Sequence, residues 1–223
     1  MNVSETGETA MALWLAPQVH AVRIASDIVF LDIASDAYLC LADAAQYLRL
    51  GPGGRIEADP PQAATDLLEA GLLASQGAGT RHIAPAPVVR GLEPAKAALS
   101  AGAVGAAIAA NARAAHAIRH LSFVEILALA GTLSEEVLVG PSAALIEDCS
   151  RFARMAPWLP REGLCLMRSL QQRLYLARRG LSAAWIFGVR TWPFEAHCWL
   201  QAGDVVLDDT PEHAGSYTPI LVI

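Results

Sequence analysis

Between residues 81 and 94 the chain carries Pro85, Pro87, Gly91 and Pro94. Proline fixes φ and removes a backbone donor, so a stretch this dense breaks regular structure. It reads as a linker, because the residue pattern changes character across it. Before it, short runs rich in β-branched and aromatic residues alternate with turn chemistry. After it, the chain is alanine-rich and helical in period. With 223 residues there is room for two compact domains of ~100 residues each, expected at 1–80 and 95–223. Hydrophobic residues make up 54%, so each can bury a core and wholesale disorder is excluded. The expected fold class is α+β.

In the first region, Val19 to Ala25, Asp27 to Ile33 and Ala37 to Leu41 read as three strands. Ala34-Ser35-Asp36 supplies the second turn. Ala42 to Leu50 places Ala45, Tyr47 and Leu48 at near-helical spacing and stops at Gly51-Pro52-Gly53-Gly54. A second helix is expected from Asp59 as N-cap and Pro60 at N1. Leu67, Leu68 and Leu72 form its apolar stripe, Gly71 lies near its end, and Leu72 to Ser75 follow as a short strand. Strand group, helix pair and wing resemble a winged helix-turn-helix. A helix that reads the major groove needs basic or amide side chains. Residues 60–73 offer Gln62 but no Arg or Lys, and net charge is -6, so nucleic acid is not the expected partner. A sheet edge beside a helix is instead a receptor for an extended peptide that adds a strand.

Beyond the linker, helices are expected over Ala95 to His120, Leu121 to Leu129 and Ser142 to Met155, broken at Gly131 and Gly140-Pro141. The most apolar run, Ala97 to Ala110, is 14 residues long, short of the ~20 that cross a bilayer. The N-terminus shows no secretion signal. No membrane partner and a cytoplasmic location are expected. The cysteines at 40, 149, 165 and 198 form no CxxC pair, which argues against zinc or a disulfide framework. Cys40, Cys149 and Cys198 read as small buried hydrophobes. His116 and His120 share a helix face with no third ligand nearby in sequence, and read as a solvated face. No metal and no cofactor are expected.

Chemistry concentrates near the end. Cys165 opens a helical pattern through Leu170, Leu174 and Ala177 that stops at Arg178-Arg179-Gly180. A cysteine in the first turn of a helix faces unpaired N–H groups, which favour the nucleophilic thiolate. Strands are expected over Ser182 to Val189, Phe194 to Gln201 and Asp204 to Leu207. His197 falls mid-strand with Glu195 and Trp199 on its face, and Cys198 points the other way. Asp209 lies just past the hairpin partner, with Asp208 and Asp204 as alternative acids. Cysteine, histidine and acid in this arrangement are a nucleophile, its base and the group that orients the base.

The motifs Cys-Leu-Met-Arg-Ser-Leu (165–170), Arg178-Arg179-Gly180, Phe187-Gly188-Val189 and Pro193-Phe194-Glu195-Ala196-His197-Cys198-Trp199 resemble the transglutaminase-like leader peptidases of lasso-peptide biosynthesis, the B proteins. The resemblance covers residues 160–211. Cys198 departs from it, since the family more often has alanine after the histidine. It implies a transglutaminase/papain-like cysteine peptidase domain after the helical region, with Cys165, His197 and Asp209 catalytic. It also implies that the N-terminal module is similar to PqqD, the RiPP recognition element. That family binds a precursor's leader peptide as an added strand, in the groove between a strand and a helix. Here these positions are Ala37, Tyr38, Leu39, Cys40 and Leu41, facing Ala64, Leu67, Leu68 and Leu72. The implied partners are the leader–core precursor and a separate cyclase similar to asparagine synthetase. An acyl-transferring enzyme and a non-catalytic peptide-binding adaptor are the competing readings.

Overall fold

The computed structural model describes residues 13–76, 84–131, 139–159 and 165–223. The chain forms two compact units, and the boundary between them falls between His82 and Ile83.

The first unit is built mainly from sheet. β2 (Val19–Ile24), β3 (Asp27–Asp32) and β4 (Ala37–Leu41) form an antiparallel meander in the order β2-β3-β4. Ala25, with φ 52°, turns the first hairpin, and the register pairs Val22 with Val29 and Phe30 with Leu39. β3 is central and buried, with Val29 and Leu31 fully enclosed. These are the three strands expected from the sequence. Leu13–Leu15 (β1) is an inner strand of a second antiparallel sheet with β5 (Leu48–Leu50), β6 (Arg55–Ala58) and β7 (Leu73–Ala74), in the order β5-β6-β1-β7.

The expected helix over 42–50 is therefore not formed. Asp43 takes a left-handed φ of 54°, a single 3-10 turn covers Ala44–Gln46, and the chain enters β5. Leu48-Arg49-Leu50 alternates buried, exposed and half-buried, the period of a strand, and pairing with β6 outweighs a nine-residue helical tendency too short to nucleate. The second helix is also shorter than expected. Pro60 precedes Pro61, and a residue before proline is pushed out of the α region. Pro60 is accordingly extended, and Asp59 caps nothing. A 3-10 turn over Pro61–Ala64 leads into α1 (Thr65–Glu69), and Gly71 follows with φ 72°. The helix pair of a winged helix-turn-helix is thus absent from the described residues.

The second unit packs helices on a sheet. Arg90–Gly91 (β8) leads to α2 (Ala101–His120), α3 (Phe123–Ala130), α4 (Ala143–Met155) and α5, described over Cys165–Arg178. β8 lies within the proline-dense segment expected to lack regular structure. Its pairing is short and is helped by Asp204, which binds the Arg90 guanidinium through both carboxylate oxygens at 3.0 and 2.7 Å. Caps fix the helix starts. Ser100, Ser122 and Ser142 each accept a backbone N–H, and Ser122 with Glu125 completes a capping box. α2 buries Ala103, Ala107, Ala110, Ala114 and Ala117 on one stripe, which lets it approach α5 closely. Gly180, with φ 71°, ends α5. Its N–H reaches the Ala177 carbonyl at 3.1 Å and Leu181 N–H reaches Leu176 at 2.9 Å, the bond pair of a Schellman cap.

The sheet runs β12-β9-β10-β11-β8, with β9 (Ala184–Arg190), β10 (Glu195–Ala202), β11 (Val205–Val206) and β12 (Thr218–Val222) antiparallel to their neighbours and β8 parallel to β11. Arg173, on α5, is 4% exposed, and among the described residues no carboxylate pairs with it. Its guanidinium donates instead to the carbonyls of Ala130, Gly131, Ala183 and Ile223. One charge thereby ties the end of α3, the entry to β9 and the C-terminal residue to α5. Among the described residues, no helix is long and apolar enough to cross a membrane.

Candidate active site

α5 and β10 bring the reactive residues together. Cys165 is the first described residue of α5, since 160–164 lie outside the described residues. His197 stands on β10 opposite Gly188 of β9. Its Nε2 lies 2.6 Å from Asp209 Oδ2, and its side chain also hydrogen-bonds Cys165. With Nε2 occupied by the carboxylate, Nδ1 is the nitrogen left to face sulfur.

Sulfur has further donors. The Cys198 thiol and backbone N–H both hydrogen-bond Cys165. Cys198 is therefore more than packing, although it is 4% exposed as expected. Strand alternation points it at α5, where its Sγ is 3.3 Å from Ser169 Oγ. Ser169 in turn donates to the Cys165 carbonyl at 2.8 Å and accepts from Trp185 Nε1 at 2.8 Å. Bonds from the Cys198 thiol first, and from His197 next, outweigh burial and hold the Cys165 thiol far below its ordinary value. Burial opposes the charge on His197, but Cys165 and Asp209 together raise its pKa above the ordinary imidazole value. Each shift favours a thiolate beside an imidazolium. Cys149, by contrast, is pushed up to about 12 by burial and is inert. Cys40 is half-buried on β4 rather than enclosed.

Two neighbouring acids divide their work. Residues 208 and 209 follow β11 on a bent segment, and their side chains take different partners. The Asp208 carboxylate accepts the Leu200 N–H at 2.8 Å, and burial pushes its pKa up to about 7. Asp209 faces His197. Burial works against its charge, but bonds from His213, the Thr210 N–H and His197 hold its pKa below the usual value. Arg168, one turn past Cys165, donates to the Asp208 carbonyl and so pins this segment to α5. Gly188 makes room for the ring beside the histidine: a Cβ there would meet Trp199 ring atoms at 2.8 Å. Trp199 stacks on His197 at 5.9 Å and 20°.

The sequence model of the transglutaminase-like superfamily matches residues 107–222. The chain belongs to the transglutaminase-like superfamily. No curated protein and no solved structure matches it. Membership in this superfamily supports cysteine-peptidase-like or acyl-transfer chemistry at a site of this composition. The transglutaminase-like match opens inside α2 and closes within β12, so it contains the whole Cys165–His197–Asp209 cluster.

One residue of the transglutaminase-like site was not anticipated. His213 Nδ1 lies 2.7 Å from the same Asp209 Oδ2 that binds His197. The signal was present: Thr210-Pro211 is an N-cap followed by proline at N1, and it starts α6 (Pro211–Ala214). A helix start there turns the chain back so that His213, in its first turn, meets Asp209 just ahead of the cap.

The residues expected to receive a peptide are placed unevenly. Ala37 and Leu39 are exposed on β4, whereas Tyr38, Cys40 and Leu41 are half-buried. Ala64, Leu67 and Leu72 lie in the core of the first unit, so their side chains are closed to a ligand. Leu68 is half-buried and lines a groove of about 490 Å3 with Tyr47, Arg49, Arg55, Glu57 and Asp59. That groove runs beside β5, β6 and the 61–69 turn, not beside β4.

Proposed function

We propose that this protein is a cysteine peptidase that binds the leader of a lasso-peptide precursor and cuts it at the leader–core junction. The observation that carries the reading is the Cys165–His197–Asp209 chain of hydrogen bonds, with the thiol held down and the imidazole held up. The Cys165 thiolate attacks the scissile carbonyl carbon. The Cys165 backbone N–H receives the developing oxyanion. The His197 imidazolium gives its Nδ1 proton to the departing amine, which leaves as the free N-terminus of the core. Water, deprotonated by His197, then attacks the thioester and releases the leader carboxylate. Asp209 keeps the ring oriented through Nε2.

The leader is held by residues 1–80, along the outer edge of β4, which pairs on its other side with β3. Tethering raises the local concentration of the scissile bond at residues 95–223, so weak contacts at the active site suffice. A cyclase similar to asparagine synthetase would then join the freed amine to a side-chain carboxylate. The reading rests on the sequence resemblance for its substrate and on the site geometry for its chemistry.

Leader release from a precursor by purified Cys165→Ala protein is the direct test. Abolished cleavage is expected, and undiminished cleavage rules out the nucleophile. Superfamily membership also favours a second reading, in which the same thioester is passed to an amine. Mass spectrometry of the product separates the two, because hydrolysis leaves a free leader carboxylate and transfer leaves an amide.

A further inference from the structure

His197 Nε2, Asp209 Oδ2 and His213 Nδ1 converge from β10, the segment after β11 and α6, and all lie within 4.8 Å of one another. Their side chains are 9%, 11% and 48% exposed, so the cluster is enclosed on the His197 side and open to solvent on the other. A proteolytic triad needs one histidine on its acid, and here the acid oxygen serves two, at 2.6 and 2.7 Å. Two imidazoles and one carboxylate are a borderline donor set. It suits zinc, which takes three protein ligands and leaves one position open, and it does not suit magnesium or calcium.

We propose that His197, Asp209 and His213 form a reversible zinc-binding site that takes the active-site histidine out of the catalytic cluster. Zinc lies roughly 2.0–2.2 Å from such donors, which places tetrahedral ligand atoms about 3.3 Å apart. The two nitrogen–oxygen spacings of 2.6 and 2.7 Å need only open slightly, and the two nitrogens, within 4.8 Å of each other, are in reach of the same spacing. The outer contacts of a metal site are already in place. Asp209 Oδ1 accepts the Thr210 N–H at 2.8 Å, which orients the carboxylate. The other His197 nitrogen faces Cys165 and can donate to its thiolate, as a ligating imidazole donates from its free N–H. Binding replaces the protons that Asp209 shares with the two rings, so protons are released as zinc enters. With Nε2 on the metal, His197 is neutral and carries its one proton on Nδ1. A neutral imidazole is a far weaker acid than imidazolium, so protonation of the departing amine fails.

The binding claim stands apart from the substrate, and only its inhibitory consequence rests on the peptidase reading. Zinc chloride alone is titrated into the full chain in competition with a chromogenic chelator. Wild type is expected to take one zinc per chain. His213→Ala and His213→Gln, at an exposed position, should each bind at least 10-fold more weakly, and Cys165→Ala should bind within about 3-fold of wild type. Unchanged affinity in both His213 variants overturns the proposal. So does loss of binding in Cys165→Ala, which would place the ion on the thiolate instead. In the leader-release assay, zinc should inhibit wild type with recovery on adding EDTA. The His213 variants should need at least 10-fold more zinc for equal inhibition, and equal sensitivity would overturn the inhibitory role. If no form cleaves a precursor but zinc binds through His213, the peptidase reading fails and the zinc site stands.

Discussion

The two units are stabilised by different means. Among the described residues, the first has one buried charged side chain, Asp27, and otherwise an aliphatic and aromatic core around Phe30, Ile28 and Leu48. The second buries Asp148, Ser150, Ser169, Gln171, Gln172, Arg173 and Gln201. Most of these have partners that cross between elements. Tyr175 of α5 and Arg179 just past its end bind Asp148 of α4 at 2.7 and 3.2 Å, and Gln201 reaches the Ala86 carbonyl at 2.7 Å. A core held by area tolerates reshaping, whereas a core held by satisfied polar groups fixes a few distances closely. Peptide capture along a strand edge needs only the former. Proton transfer between sulfur and imidazole needs the latter.

The strongest challenge to this contrast is at the two acids. Asp209→Asn leaves the residue its size but spoils its bond to His197, and a fall in kcat of about 10^3–10^4-fold is expected. Asp208→Asn keeps an acceptor for the Leu200 N–H and should lose far less than Asp209→Asn. Comparable losses in single-turnover cleavage would erase the division of labour between them.

Stability offers the next test. Arg173→Met keeps most of the volume but strips donors from the Ala130, Gly131 and Ala183 carbonyls, and should cost about 3 kcal/mol or more. Ile28→Leu in the first unit, also close to volume-conserving, should cost under ~1.5 kcal/mol. Urea unfolding of each variant measures both, and equal costs would dissolve the contrast.

The pH profile sharpens the picture of the site itself. Cys165 titrates below its ordinary value and His197 above 6.5, so the thiolate–imidazolium form fills the interval between them. Activity should fall on the acid side as the thiolate gains a proton and on the alkaline side as the imidazolium loses one. Because Asp209 helps to raise His197, Asp209→Asn should move the alkaline limb to lower pH. The stability that charged His197 contributes has the same sign. It is present below 6.5 and is lost as pH rises through the higher folded value.

The smallest expected effect is at the proposed peptide edge. Leu39 is 38% exposed on β4, so Leu39→Lys should fold. Leader affinity should fall about 10-fold, some 1.4 kcal/mol, with kcat at saturating precursor unchanged. A kcat loss without a change in KM would move leader recognition away from this edge.

Local signals made much of the fold legible. The glycine at 180 and the β-branched runs of β2 to β4 each fix structure through neighbours in sequence, whereas the caps at Ser100 and Ser122 start α2 and α3 later than the expected Ala95 and Leu121. Of the second sheet of the first unit only β7, within the strand expected at Leu72 to Ser75, was legible, because β1 pairs with β6 and β7 at separations of about 40 and 60 residues and no local pattern reports the match. Leu48-Arg49-Leu50 alternates too briefly to announce a strand. At the site, cysteine, histidine and acid were readable as residue types. Sequence position alone separates Asp209 from Asp208 weakly, and what divides them physically is their partners, the Leu200 N–H for Asp208 and the His197 ring for Asp209. Cys198 looked like packing because alternation places it away from His197. That same face turns it toward α5 and the nucleophile.

α5 carries Cys165, Arg168, Ser169 and Arg173 within little more than two turns. Its residues hold Cys165, the segment bearing Asp209, the contact to Cys198 and the entry to β9. A small axial slip of this helix would shift sulfur against both partners, because Leu200 of β10 donates to Asp208 at 2.8 Å and His197 of β10 lies 2.6 Å from Asp209, so acid and histidine ride on one strand. Thermal motion of α5 as a body should therefore disturb the Cys165–His197 spacing more than the His197–Asp209 spacing, and the sulfur is the member whose placement sets the tolerance of the site.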